Sequence, residues 1–100
     1  MKSVKLEYLD QAKRDLIEGY RFYESQQAGL GMHFLENLYS DIESLHRFGG
    51  IHRKIYGDYY RLLSKRFPYA MFYKIADGTA YIYAIVDCRR NPAWIRDRLM

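Results

Sequence analysis

Cysteine occurs once in this 100-residue chain and proline twice. The lone Cys88 can form no internal disulfide, so stability has to come from a hydrophobic core, and the length suits one domain over residues 1–100. No apolar run reaches the roughly 18 residues that a membrane-spanning helix needs. The first nine residues carry Lys2, Lys5 and Glu7 and no apolar stretch, which argues against a secretory signal. A cytoplasmic protein with no membrane partner is expected. His33, His46 and His52 are the only histidines and lack metal-ligand spacing, so no metal is expected. No glycine-rich loop offers a phosphate cradle, and no cofactor is expected. Ser64 and Thr79 have no His and Asp companions for nucleophilic catalysis. Cys88 lies beside Arg89 and Arg90, cations that favour a thiolate, yet a lone Cys at a strand end commonly serves as a small apolar residue.

Aromatic residues are plentiful. They make up 17% of the chain, and eleven of them are tyrosine, whose apolar ring and polar tip suit half-buried positions on a sheet. Charge is uneven. Residues 1–45 carry five Lys/Arg against eight Asp/Glu, a net of −3, whereas residues 46–100 carry eleven against four, a net of +7. A basic half suits an acidic partner such as nucleic acid, an acidic protein segment or anionic lipid, and serves equally as a solvated face.

Val4–Leu9 alternates apolar and polar residues as a short strand does. Asp10 is placed to cap a helix, and Ala12, Leu16, Tyr20 and Tyr23 recur at helical spacing to about Gln27. Gly19 inside that helix costs about 1 kcal/mol against Ala, which predicts a close neighbour there. Ala28-Gly29-Leu30-Gly31 breaks the pattern. Phe34, Leu35, Leu38, Ile42 and Leu45 then mark a second helix, ended near Phe48 by Gly49-Gly50. From Ile51 the period becomes two. Strands are expected over 51–56, 59–67, 69–76 and 79–86, with Asp77-Gly78 as a hairpin turn. Asn91-Pro92 reads as the cap and first turn of a short helix reaching about Leu99. The expected fold is α+β: an N-terminal strand, a two-helix hairpin packed on a mainly antiparallel sheet of three or four strands, and a short C-terminal helix.

In the strand from 59 to 67, strict alternation sets Tyr60, Leu62, Ser64 and Arg66 against Tyr59, Arg61, Leu63, Lys65 and Phe67. In the last strand it sets Ala80, Ile82, Ala84 and Val86 against Tyr81, Tyr83, Ile85 and Asp87. The hairpin covers one face of the sheet, which leaves the other partly open and rich in Tyr and Arg. Cations interleaved with aromatics suit phosphates and stacked bases, or an acidic or amphipathic peptide. Cross-strand tyrosine pairs flanked by snorkelling cations account for the same pattern without any ligand.

The stretch YRLLSKRFPYAMFYKI, the Tyr- and Ile-rich strand after it and the closing CRRNP resemble the RelE/ParE superfamily of type II toxin–antitoxin toxins. The matching pieces are Tyr60-Arg61, Lys65-Arg66-Phe67-Pro68-Tyr69, Tyr73 and Arg89-Arg90-Asn91-Pro92. Ala12, Asp15-Leu16, Tyr20 to Tyr23, Phe34 and Leu38 fit the helical half. The resemblance implies a cytoplasmic bacterial toxin of the plasmid-stabilisation kind, neutralised in a hetero-oligomer by a cognate antitoxin whose acidic or amphipathic C-terminal segment folds onto it. RelE-like members cleave mRNA on the ribosome, for which Arg61, Lys65 and Arg90 would be the cationic set here. However, Ala70 stands where RelE-like chains carry a catalytic Arg, and no Tyr or His follows Arg90. Trp94 and Arg96 occupy that region, and Trp is neither acid nor base. The resemblance is therefore to the ParE-like branch, which inhibits DNA gyrase without chemistry of its own. An inactive, antitoxin-binding relative is the third alternative. Arg61, Lys65, Arg66, Tyr73, Tyr81, Tyr83, Arg89, Arg90 and Trp94 are the expected target- or antitoxin-binding residues.

Overall fold

A computed structural model describes residues 3–100. Strand β1 (Lys5–Tyr8) leads into helix α1 (Asp10–Gln26). Asp10 is the first helical residue and Leu9 the N-cap, so the Asp10 carboxylate favours the positive helix end by charge and makes no capping bond. The helix presents Ala12, Leu16 and Gly19 to the core. Gly19 meets its predicted neighbour in Phe34: a Cβ there would stand 2.5 Å from Phe34 Cζ.

Gly29 takes a left-handed conformation (φ 89°) that lets the chain reverse into α2 (Leu30–Glu43). The Glu24 carboxylate accepts from the N–H groups of Gly29 and Gly31 at 3.0 and 2.9 Å, so a negative charge sits on the start of α2. The second helix is interrupted at Ser44, whose hydroxyl donates to the Asp41 carbonyl at 2.6 Å. One further turn, α3 (Leu45–Phe48), completes the predicted span.

Strands β2 (Tyr60–Leu63), β3 (Tyr69–Ala76) and β4 (Thr79–Asp87) precede helix α4 (Pro92–Leu99). The sheet has four strands in the order β1-β4-β3-β2, with β1 parallel to β4 and the other pairs antiparallel. Among the described residues, no helix is long and apolar enough to cross a membrane.

Three local expectations give way. The predicted strand over 51–56 is reduced to one bridge, Lys54 to Tyr60, because left-handed Tyr56 (φ 61°) and Gly57 (φ 78°) turn the chain back at once. The strand predicted over 59–67 ends at Leu63. Beyond it the chain bends, Ser64 Oγ accepts from Phe67 N–H at 3.3 Å, and the Phe67 ring packs against Tyr23 and Phe34. The third correction concerns β4. Phe72 pairs with Ala84 and Tyr73 with Ile82, so Tyr83 is an extra residue in the ladder. A bulge reverses the alternation beyond it. Ala80, Ile82 and Ile85 consequently face the helical hairpin, while Ala84 and Val86 face away.

The outward face is therefore apolar over part of its area and carries a second core. Ala70, Phe72, Ala84 and Val86 pack against Ile95 and Leu99 of α4, contrary to the expectation that only one face is covered. The Tyr59 hydroxyl donates to the Leu99 carbonyl at 2.9 Å and pins the end of α4.

Candidate functional site

Strand β4 ends in a turn that carries Cys88, Arg89 and Arg90. Asp87 accepts from the Arg89 N–H at 2.9 Å and from the Arg89 guanidinium at 2.9 and 2.6 Å. This clamp holds the Asp87 carboxyl below the usual carboxylate range and raises the Arg89 guanidinium, so both stay charged at neutral pH. Cys88 N–H donates to the Pro68 carbonyl at 2.8 Å, and Arg90 N–H to the Asp87 carbonyl at 3.1 Å. The turn is thus rigidly tied. Asn91 then caps α4 as predicted, its side chain accepting from Ala93 N–H at 2.7 Å with Pro92 in the first turn.

The first turn of α4 brings Trp94 beneath Arg90, whose Cζ lies 4.2 Å from the ring centroid. Trp94 remains 40% exposed. A cavity of about 230 Å³ opens beside the pair, walled on the far side by Glu18 and Phe22 of α1. An exposed guanidinium on an indole face is a rigid cationic and aromatic anchor of the kind that dominates binding surfaces. Behind it, Asp15 accepts from the Ile85 N–H at 2.9 Å and forms a buried ion pair with Arg98 of α4. The sequence reading missed this pair. The available signal was a carboxylate on the apolar stripe of α1, between Ala12 and Leu16.

The remaining predicted site residues lie elsewhere. Lys65 and Arg66 are exposed on the loop after β2, which Asp41 of α2 holds by accepting from Lys65 N–H at 3.3 Å. Arg61 is half-buried opposite Phe72, and its N–H donates to the Arg53 carbonyl at 3.0 Å. Tyr81 and Tyr83 border the open part of the outward sheet face. The structure thus stacks Arg90 on Trp94 and ties Arg89 to Asp87 in the same turn. Among the described residues, no cluster of His, Cys, Asp and Glu could hold a metal ion.

Tyr73 is fully buried in the core. Its hydroxyl accepts from Gly50 N–H at 3.0 Å and lies 2.5 Å from His52 Nδ1. Burial holds His52 below the ordinary histidine value of 6.5. The unfolded chain gains this proton near pH 6.5 while the fold resists it, so His52 contributes stability above that pH and loses it as pH falls. Denaturation midpoints are expected to decline from pH 7 to 5.5, with His52→Gln flattening that decline. An unchanged slope in the variant overturns the assignment.

No curated protein sequence matches this chain. In contrast, the family model described as "ParE toxin of type II toxin-antitoxin system, parDE" matches residues 6–92, most of its length. The match stops where α4 begins, so the Arg89-Arg90 turn lies inside it and Trp94 outside. Among solved structures, the chain is similar to one described as the chromosomal ParDE TA system from P. aeruginosa. The TM-score is 0.78 at 13% identity, over 85% of this chain and 96% of that one. At that identity the likeness shows a shared fold. With the family model spanning β1 through the β4–α4 turn, the chain belongs to the ParE toxin family of type II toxin–antitoxin systems.

Proposed function

We propose that this chain is a cytoplasmic toxin that inhibits DNA gyrase by binding, and that a cognate antitoxin neutralises it in a hetero-oligomer. The observation that carries this reading is the Arg90–Trp94 stack, presented beyond the end of inner strand β4 by a turn tied on both sides. Asp87, locked as an anion by Arg89, is poorly suited to protonate a leaving group.

For the antitoxin, a groove of about 280 Å³ runs between α1 and α2. Ile17, Met32 and Tyr39 expose apolar surface along it. An amphipathic segment would bury its apolar residues there while its acidic side chains meet the cations of the C-terminal half.

The deciding experiment titrates the antitoxin-free chain into a gyrase supercoiling reaction. Lost supercoiling with accumulated cleaved DNA is expected. Arg89→Glu combined with Arg90→Glu is expected to raise the half-inhibitory concentration about tenfold or more, since like charge then faces the target. Both side chains are exposed, but Arg89→Glu also breaks the Asp87 clamp, so Arg90→Glu alone, which leaves the clamp intact, separates lost target contact from a loosened turn. Gyrase untouched at micromolar protein, with translation arrested in a parallel reaction, transfers the activity to the ribosome.

A further inference from the structure

Helix α4 covers the outward face of the sheet only where Ala84 and Val86 of β4 meet Ile95 and Leu99. Towards the start of β4 the same face stays open as a cavity of about 470 Å³, whose walls include Lys54, Asp58, Lys74, Tyr81 and Tyr83. The ammonium of Lys74 stands 4.4 Å from the Tyr59 ring centroid and 5.3 Å from that of Tyr83, and the ammonium of Lys54 stands 5.2 Å from that of Tyr60. The two contacts of Lys74 hold it against the wall of the cavity, so little of its side-chain freedom remains to be lost on binding an anion, whereas Lys54 is exposed at the rim beside Tyr60, which stacks on core Tyr73.

Tyr81 differs from its neighbours. It lies opposite Lys74 in the β3–β4 ladder and is half-exposed. Among the described residues, its ring enters no aromatic or cation–π pair, whereas Tyr59, Tyr60 and Tyr83 all do. A half-exposed ring outside any such pair, two lysines lining one recess and two carboxylates, Asp58 in its wall and Glu7 beside Tyr81 in the β1–β4 ladder, make a defined combination.

We propose that this basin binds an unpaired nucleotide of single-stranded nucleic acid, its base stacked on Tyr81 and its phosphate between Lys54 and Lys74. Base stacking on an aromatic side chain beside lysines is the general chemistry of single-strand binding. A base held in a duplex has no free face to offer such a recess. The inference is independent of the gyrase assignment, because it concerns the isolated chain.

The test is fluorescence anisotropy of the full chain with a labelled mixed-sequence 12-mer, as DNA, as RNA and as the hybridised duplex. Both single strands are expected to bind more tightly than the duplex, with affinity falling as salt rises. Tyr81→Ala is expected to weaken binding about tenfold through lost stacking, and Lys74→Glu at least as much. Asp58→Asn is expected to tighten it about twofold by removing one of the two repulsive carboxylates, the other being Glu7 beside Tyr81. That gain cannot arise from misfolding, so it guards the two losses. Duplex binding as tight as single-strand binding overturns the proposal, as does Tyr81→Ala at full affinity. An acidic peptide that displaces the oligonucleotide at equal concentration reassigns the basin to protein recognition.

Discussion

Replacing Asp15 by Ala is expected to cost about 3–5 kcal/mol of folding stability, read by urea denaturation. Asp15 and Arg98 retain only 9% and 16% of their side-chain exposure. Removing the carboxylate strands the guanidinium away from water and leaves the Ile85 N–H without its acceptor. The half-broken pair is costlier than no pair. Burial already pushes the Asp15 carboxyl upward from its ordinary value, against the pull of the Ile85 N–H and of Arg98. Desolvation is therefore a heavy charge against this interaction, and an apolar replacement of both partners avoids it. Asp15→Leu combined with Arg98→Met is expected to recover most of the loss. A single-variant cost below about 1 kcal/mol would show that α4 docks without the pair. Since Arg98 anchors the helix that carries Trp94, Asp15→Ala is also expected to weaken target inhibition.

Phe34→Ala is expected to cost a similar amount, about 3–5 kcal/mol. Phe34 is fully buried. Its ring stacks on Tyr23 at 5.0 Å and meets Phe67 and Tyr69 edge-on at 5.3 and 4.9 Å. It is thus the joint between α1, α2 and the start of β3. The close seat on Gly19 makes a second measurement decisive. Gly19→Ala improves helix propensity by about 1 kcal/mol, yet it drives a methyl group into the ring, and overpacking of this kind costs about 1–3 kcal/mol. Net destabilisation is expected in the wild-type background and relief of it beside Phe34→Leu. Stabilisation by Gly19→Ala alone would mean that the ring yields without strain.

The helical half was the more legible part of the sequence. Ala12 and Leu16 in the first helix and Phe34, Leu38 and Ile42 in the second repeat at four-residue steps, and all five are buried. Even the intolerance at Gly19 was visible, because a glycine inside an otherwise good helix needs a packing reason. The Asn91 cap was equally readable, since it depends on a contact only two residues away.

Across the sheet, local rules failed. Alternation placed Ala80, Ile82, Ala84 and Val86 on one face, but the extra residue Tyr83 exists only because Phe72 and Tyr73 pair where they do. One inserted position reversed every side chain after it and created the apolar patch on which α4 rests. Lys54 and Lys74 drew no attention in the sequence because nothing local links them to Tyr81; the turn at Tyr56-Gly57 and the β3–β4 register bring them to one recess. The Asp15–Arg98 pair spans 83 residues and has no local trace beyond one carboxylate on an apolar stripe. Periodicity, caps and glycine positions, all consequences of short-range sterics and hydrogen bonding, were determined by the sequence itself. Strand register, the second core under α4 and the grouping of Lys54, Lys74 and Tyr81 into a basin were decided by tertiary structure, because each depends on hydrogen bonds and burial between segments distant along the chain.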